Sequence, residues 1–157
     1  MTGADAALLP LGHVGYVVED VDAGVESFQK MLGAAAFRTY DYAPVNAWAS
    51  GRPLRPLRLR IAMGSFTGGI GIELIQPVEG DTPHAKFLRD NGPGLHHVAF
   101  YTDQYEKWRE HFQAQGAEIV FEAEAEDEVV GYRRSLYLQV TGMASIVEIS
   151  EIAHKRK

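Results

Sequence analysis

Residues 12–18 read GHVGYVV and residues 94–100 read GLHHVAF. In both, a histidine opens an apolar run without helical spacing, which predicts a strand. The stretch after the first, DVDAGVESFQKML at 20–32, sets Val21, Val25, Phe28 and Leu32 at helical spacing and stops at Gly33. The stretch after the second, DQYEKWREHFQAQG at 103–116, predicts a helix opened by an Asp103/Glu106 capping pair, burying Tyr105, Trp108 and Phe112 and stopping at Gly116. His13-Val14-Gly15 therefore aligns with His97-Val98-Ala99. Neighbouring side chains on a strand point to opposite faces, so His96 and His97 cannot share one. The alignment selects His97 as the partner of His13 and leaves His96 a structural residue on the helix side.

Both halves continue alike. The first runs through an extended stretch near 36–43, a loop carrying Pro44, Pro53 and Pro56, the strand PLRLRIAM at 56–63, the turn GSFTGG and the strand IGIELIQ at 70–76. A short helix at 82–91, closed by NGPG, leads into the second half. There AEIVF at 117–121 precedes an acidic stretch from Glu122 to Glu128, expected as a solvated loop, then the strand YRRSLYLQV at 132–140, the turn TGM and the strand SIVEIS at 145–150. The chain writes one βαβββ unit twice. This predicts an α+β fold in one domain, with module one at about 11–79 and module two at about 95–151. The modules are expected to pair into a cup-shaped mixed β-sheet around a metal site, helices outside.

A chain of 157 residues with 46% hydrophobic content can bury one core. It has no cysteine, which excludes disulfides, thiolate zinc sites and a cysteine nucleophile. The opening MTGADAALLPLG lacks a basic region followed by a long apolar one, and no segment reaches the roughly 18 apolar residues of a membrane span. No membrane association is expected, and the cytoplasm is the default location. A net charge of −6 argues against a nucleic-acid surface, and the tail HKRK is too short to change that.

The closing strands IGIELI and SIVEIS correspond, matching Glu73 to Glu148. Sixty residues separate His13 from Glu73 and 51 separate His97 from Glu148, the proline-rich loop absorbing the difference. Strand alternation sets Gly15 beside His13 and Ala99 beside His97, and sends Val14, Tyr16, Val98, Phe100, Ile72 and Leu74 towards the helices. The four candidates thus share the face away from the helices. Two carboxylates buried there without a positive partner are costly, and a divalent cation removes the cost. Two imidazoles and two carboxylates suit one first-row divalent ion with positions left for water or substrate; zinc, nickel, cobalt, manganese and iron(II) all qualify.

Alternation along PLRLRIAM assigns Leu57, Leu59 and Ile61 to the helix side and Arg58 and Arg60 to the cup. Along YRRSLYLQV it turns Leu136 and Leu138 away and Arg133, Ser135, Tyr137 and Gln139 into the cup. Arg58, Arg60, Arg133 and Tyr137 are therefore candidate substrate-binding residues, the arginines suiting a carboxylate or phosphate. The alternative is that the arginines pair with acidic side chains at the rim.

The segments HVGYVVEDVDAGVESFQKMLG, GIELIQP, GLHHVAFYTD and SIVEIS resemble the vicinal oxygen chelate superfamily of glyoxalases, bleomycin resistance proteins and extradiol dioxygenases, over about residues 11–151. The run from GIELIQP through FLRDNGPGLHHVAF is most similar to methylmalonyl-CoA epimerases. The resemblance implies the paired βαβββ fold and a metal held by His13, Glu73, His97 and Glu148. It also implies a small carbonyl substrate presenting two neighbouring oxygens to that metal, a CoA thioester among the candidates. A homodimer is the expected assembly. Such epimerases resemble two-base enzymes with a glutamate ahead of the strand that here reads LRLRIAM; residues 27–72 of this chain contain no glutamate, and their one acid is Asp41.

The chemistry expected is removal of a proton next to a carbonyl through a metal-stabilised enolate. Glu148 is the first candidate base and Glu73 the second, with Asp41 or a tyrosine as an acid on the other face. An epimerase, isomerase or lyase shares that first step. A glyoxalase-like lyase acting on a thiol adduct is the alternative. An extradiol dioxygenase would leave Glu73 a surplus anion, and a metal-free binding protein of the bleomycin-resistance kind has no need of four chelating residues.

Overall fold

The computed structural model describes residues 9–33, 36–66, 68–127, 131–142 and 145–151; the N-terminal MTGADAAL, Glu128, Met143 of the TGM turn and the HKRK tail lie outside them. The first half holds β1 (Leu11–Val17), α1 (Val21–Leu32), β2 (Arg38–Tyr42), β3 (Asn46–Ala49), β4 (Arg52–Pro53), β5 (Arg58–Ser65) and β6 (Gly71–Glu79). After α2 (Pro83–Asn91) come β7 (Gly94–Thr102), α3 (Tyr105–Ala114), β8 (Glu118–Asp127), β9 (Gly131–Gln139) and β10 (Ile146–Glu151). The architecture is α+β, one mixed sheet with helices outside it. No helix among the described residues is long and apolar enough to cross a membrane.

The strands form one sheet in the order β2-β5-β6-β1-β7-β10-β9-β8-β3-β4. At its centre β1 and β7 run antiparallel, flanked by the parallel partners β6 and β10. The strand β2 lies at one edge and the β3–β4 pair at the other, yet only residues 43–45 join β2 to β3. That connection reaches at most about 14 Å at the extended rise of a chain. The sheet must therefore curl until its edges approach, which produces the cup.

Local chemistry accounts for the elements. Asp20 caps α1 by accepting the Ala23 N–H at 2.9 Å, and Gly33 ends it in the left-handed region at φ 61°. Val21 packs with Ala62, Ile72 and Leu74, with Val14, Tyr16, Val25 and Phe28 against them. Truncating Leu74 to alanine there costs about 2–5 kcal/mol. Leu32, although in phase, stays 61% exposed at the last turn.

Three expectations are corrected. The proline-rich segment is not all loop: β3 pairs with β8, and Pro53 falls on the two-residue edge strand β4, where a missing N–H costs no ladder bond. The acidic stretch is not a solvated loop either, since Glu122–Asp127 belong to β8. Its period of two buries Phe121, Ala123 and Ala125 and turns the glutamates outward, where Glu122 meets Arg109 at 2.7 Å and Glu124 meets Asn46 at 2.9 Å. Finally, α3 has Gln104 at its N-cap without a side-chain cap, and Asp103 does not fill that role. Glu106 pairs instead with the Arg134 guanidinium, a stronger partner than a backbone N–H.

Candidate metal centre

The strand registers converge the four side chains by one rule. Glu73 lies opposite Gly15 in the β1–β6 ladder and Glu148 lies opposite Ala99 in the β7–β10 ladder, each glutamate facing the position two beyond its histidine. His13, Glu73, His97 and Glu148 are all buried, and one donor atom from each lies within 4.8 Å of the others. His13 Nε2 is 3.3 Å from Glu73 Oε2 and 3.3 Å from Glu148 Oε2; His97 Nε2 is 3.3 Å and 3.0 Å from the same atoms. The two Nε2 atoms are themselves 3.3 Å apart.

Each imidazole is held from behind. His13 Nδ1 is 2.9 Å from the Tyr101 hydroxyl, and His97 Nδ1 is 3.0 Å from His96 Nδ1. With its Nδ1 engaged, each ring presents Nε2 to the centre. His96 does pack on the helix side, against Phe87 and His84, but it also bonds to the ring it was set apart from. Two glycines make the room: a Cβ on Gly15 would fall 2.0 Å from His97 Cε1, and one on Gly12 would fall 2.4 Å from the Tyr101 ring. The spacing GHVG around His13 carried that signal in the sequence.

Burial disfavours every charge here, and the opposite charges overcome it. The glutamates push His13 up to about 12 and raise His97, while the imidazoles hold Glu73 well below the usual carboxylate range and Glu148 at about 2. Two carboxylates thus require two positive charges. Supplying them as protons crowds two N–H groups into one 3.3 Å contact, with both imidazoles sharing the same two carboxylate oxygens. One divalent ion supplies both charges and gives every donor atom a partner, so the residues present fit such an ion.

A cavity of about 40 Å³ adjoins the cluster, walled by Tyr42, Leu59, Ile61, Ile75, Phe121 and Tyr137. Arg133 also lines it, beside Tyr40 and Tyr42. Arg58 and Arg60 do not reach the cup. β5 has the opposite facing to the one expected: Ile61 stands opposite Ile75 and Met63 opposite Glu73, so Leu59 and Ile61 look inward. Arg58 is exposed beside Glu79 at 3.9 Å, and Arg60 pairs with Asp22 of α1 at 3.1 Å. The expectation failed because the part of the cup wall that β5 supplies is itself apolar, Leu59 and Ile61 being buried on the inward face. Asp41, opposite Arg60, is likewise on the outer face and exposed, whereas Tyr40 and Tyr42 take the inward positions of β2. His84 escaped sequence reasoning altogether: the second residue of α2, it is 0% exposed and its Nε2 lies 2.8 Å from the Tyr137 hydroxyl.

Comparison with known proteins gives one answer. The family model described as glyoxalase/bleomycin resistance protein/dioxygenase superfamily matches residues 12–132. Uncharacterized protein YqjC of Bacillus subtilis (strain 168) is 36% identical over 118 residues, covering 68% of this chain and 75% of that protein. A Streptomyces coelicolor methylmalonyl-CoA epimerase variant, solved with 2-nitronate-propionyl-CoA, superposes with a TM-score of 0.70 at 24% identity, over 96% of this chain and 99% of that one. A methylmalonyl-CoA epimerase in complex with methylmalonyl-CoA and NH4+ gives 0.69 at 25% identity, over 94% and 96%. With its curled sheet and matching family model, the chain belongs to the glyoxalase/bleomycin resistance protein/dioxygenase superfamily and has the vicinal oxygen chelate fold.

Proposed function

We propose that the chain is a divalent-metal-dependent enzyme that removes a proton next to a substrate carbonyl, of the isomerase or epimerase type. The observation that carries this reading is the buried convergence of His13, Glu73, His97 and Glu148. The histidines would hold the ion through Nε2 and the glutamates through a carboxylate oxygen. A bound divalent ion supplies Lewis-acid stabilisation of negative charge on a substrate oxygen, worth several kcal/mol. Glu148 is the base, its carboxylate lining the cavity beside the cluster, and Glu73 is the second candidate.

Arg133 and Tyr137 bind the substrate in this reading, Arg133 taking an anionic group and Tyr137 an oxygen. The substrate is then a small carbonyl compound with a negative charge. A CoA thioester is compatible, as one structural neighbour was solved with methylmalonyl-CoA. A cytoplasmic homodimer is the assembly proposed. The wall facing the cluster from β2 and β5, Tyr42, Leu59 and Ile61, carries no carboxylate. That favours single-base chemistry, and with it a second reading, a glyoxalase-like lyase.

The test is proton exchange. Metal-loaded protein is incubated in deuterated water with 2R- and with 2S-methylmalonyl-CoA, and with a hemithioacetal of a 2-oxoaldehyde. Deuterium entering one epimer without interconversion, or turnover of the hemithioacetal, supports a single base. Rapid interconversion with deuterium at C2 restores the two-base epimerase. A chain that binds no divalent ion overturns the reading.

A further inference from the structure

His84 and Tyr137 form a buried polar pair in the wall of the cavity. Thr82 caps α2 by accepting the Ala85 N–H at 3.0 Å, and Pro83 opens the helix, which fixes His84 at its second position. The ring is enclosed by His96, Phe121 and Tyr137. Burial pushes its pKa down to about 4, so the imidazole is neutral and carries one proton. Its Nε2 contacts the Tyr137 hydroxyl at 2.8 Å, while its Nδ1 is buried without a hydrogen-bond partner among the described residues.

Those two facts choose the tautomer. A proton on Nδ1 would be a buried donor with nothing to accept it; a proton on Nε2 is used, and only a lone pair goes unpaired. Nε2–H therefore donates to the Tyr137 oxygen. The phenol's own proton is then left without an acceptor among the described residues. Tyr137 stands opposite Glu148 in the β9–β10 ladder, its ring centroid 5.1 Å from that of His97, at the wall of the cavity beside the cluster. We infer that His84, as a positioning residue, makes Tyr137 a dedicated hydrogen-bond donor to the substrate oxygen that gains negative charge. The inference rests on the proposed function for the substrate, but not for the tautomer. A donor already aimed at developing charge pays no reorganisation during the reaction, and losing one costs about 10²–10³ in kcat where this has been measured.

Two measurements test it. Long-range 1H–15N correlation on the uniformly labelled full chain at pH 7 reads the tautomer directly: an Nε2–H signature for His84 is expected, and an Nδ1–H signature overturns the inference, with or without metal. The second uses the Co2+-loaded protein and oxalate, a planar anion with two neighbouring oxygens. Tyr137→Phe and His84→Phe should each weaken oxalate binding about tenfold or more while Co2+ affinity stays within about twofold. His84→Gln, whose amide N–H can stand in for Nε2–H, should restore most of the loss. Unchanged oxalate affinity in Tyr137→Phe overturns the inference. Failure of the wild type to bind Co2+ overturns the metal reading instead, and the His84 tautomer then decides alone.

Discussion

Gly15 and His97 face each other across β1 and β7 with no room for a side chain between them: a methyl group on Gly15 would lie 2.0 Å from His97 Cε1. Real Cβ atoms do not approach so closely, so Gly15→Ala must move the imidazole. The variant should fold, because the backbone is ordinary strand, yet bind Co2+ at least about 10- to 100-fold more weakly, the cost seen when a ligand's support is lost. Calorimetric titration against the wild type checks this, with circular dichroism confirming the fold. An unchanged affinity would show that His97 is not a ligand.

His97→Ala should abolish binding outright, while His96→Phe and Tyr101→Phe should keep one ion per chain at about 10- to 100-fold lower affinity. Each removes the atom behind a ligand ring, His96 Nδ1 at 3.0 Å and Tyr101 Oη at 2.9 Å, and leaves the four donors in place. Stoichiometry and dissociation constant, read from the same titration, separate the two classes. Full affinity in His96→Phe would return that residue to a packing role.

Arg133 lines the cup while Arg58 and Arg60 sit outside it. Arg133→Met should lower kcat/KM on an anionic carbonyl substrate by about 10- to 100-fold, the range for a hydrogen bond to a charged group. Arg58→Met and Arg60→Met should stay within about threefold. The three variants assayed side by side provide their own control, and a loss shared equally by all would point to long-range charge.

Acid should destabilise the metal-free protein through His84 as pH falls below 7. His84 is held at about 4 by burial, against 6.5 for a free histidine. Between those values the unfolded chain takes up a proton that the folded chain refuses, so stability falls as pH falls, by up to on the order of 3 kcal/mol for this residue. His13, pushed up to about 12, is already charged throughout that window and adds little to the slope. Urea midpoints from pH 7 to pH 4 measure the effect. A curve for His84→Phe as steep as the wild type's would place the acid sensitivity elsewhere.

Much of this was legible in the sequence because the chain states its plan twice. Two strand–helix openings could be laid over each other, and that overlay picked out His13, His97, Glu73 and Glu148 as a set and separated His97 from His96. What failed was single-strand reasoning. On β5 the rule that apolar residues face the helices assumed a polar cup, but Leu59 and Ile61 wall it, so Arg58 and Arg60 were turned the wrong way. In the acidic stretch, charge density hid a period of two whose small members, Ala123 and Ala125, are the buried ones. His84 gave no signal: one histidine in a short helix without a counterpart in the other half has nothing to be aligned with.

The three-residue passage from β2 to β3 has a consequence for how the halves can be separated. The first half carries the β3–β4 pair beyond the four strands it shares with the second, and β3 covers β8 of that second half while β2 and β5 remain at the far edge. Residues 95–151 alone would expose β8 as a bare edge, and residues 11–79 alone would keep β3 paired only with the two residues of β4. Symmetry places the site, and that one crossing strand ties the two halves into a single folding unit.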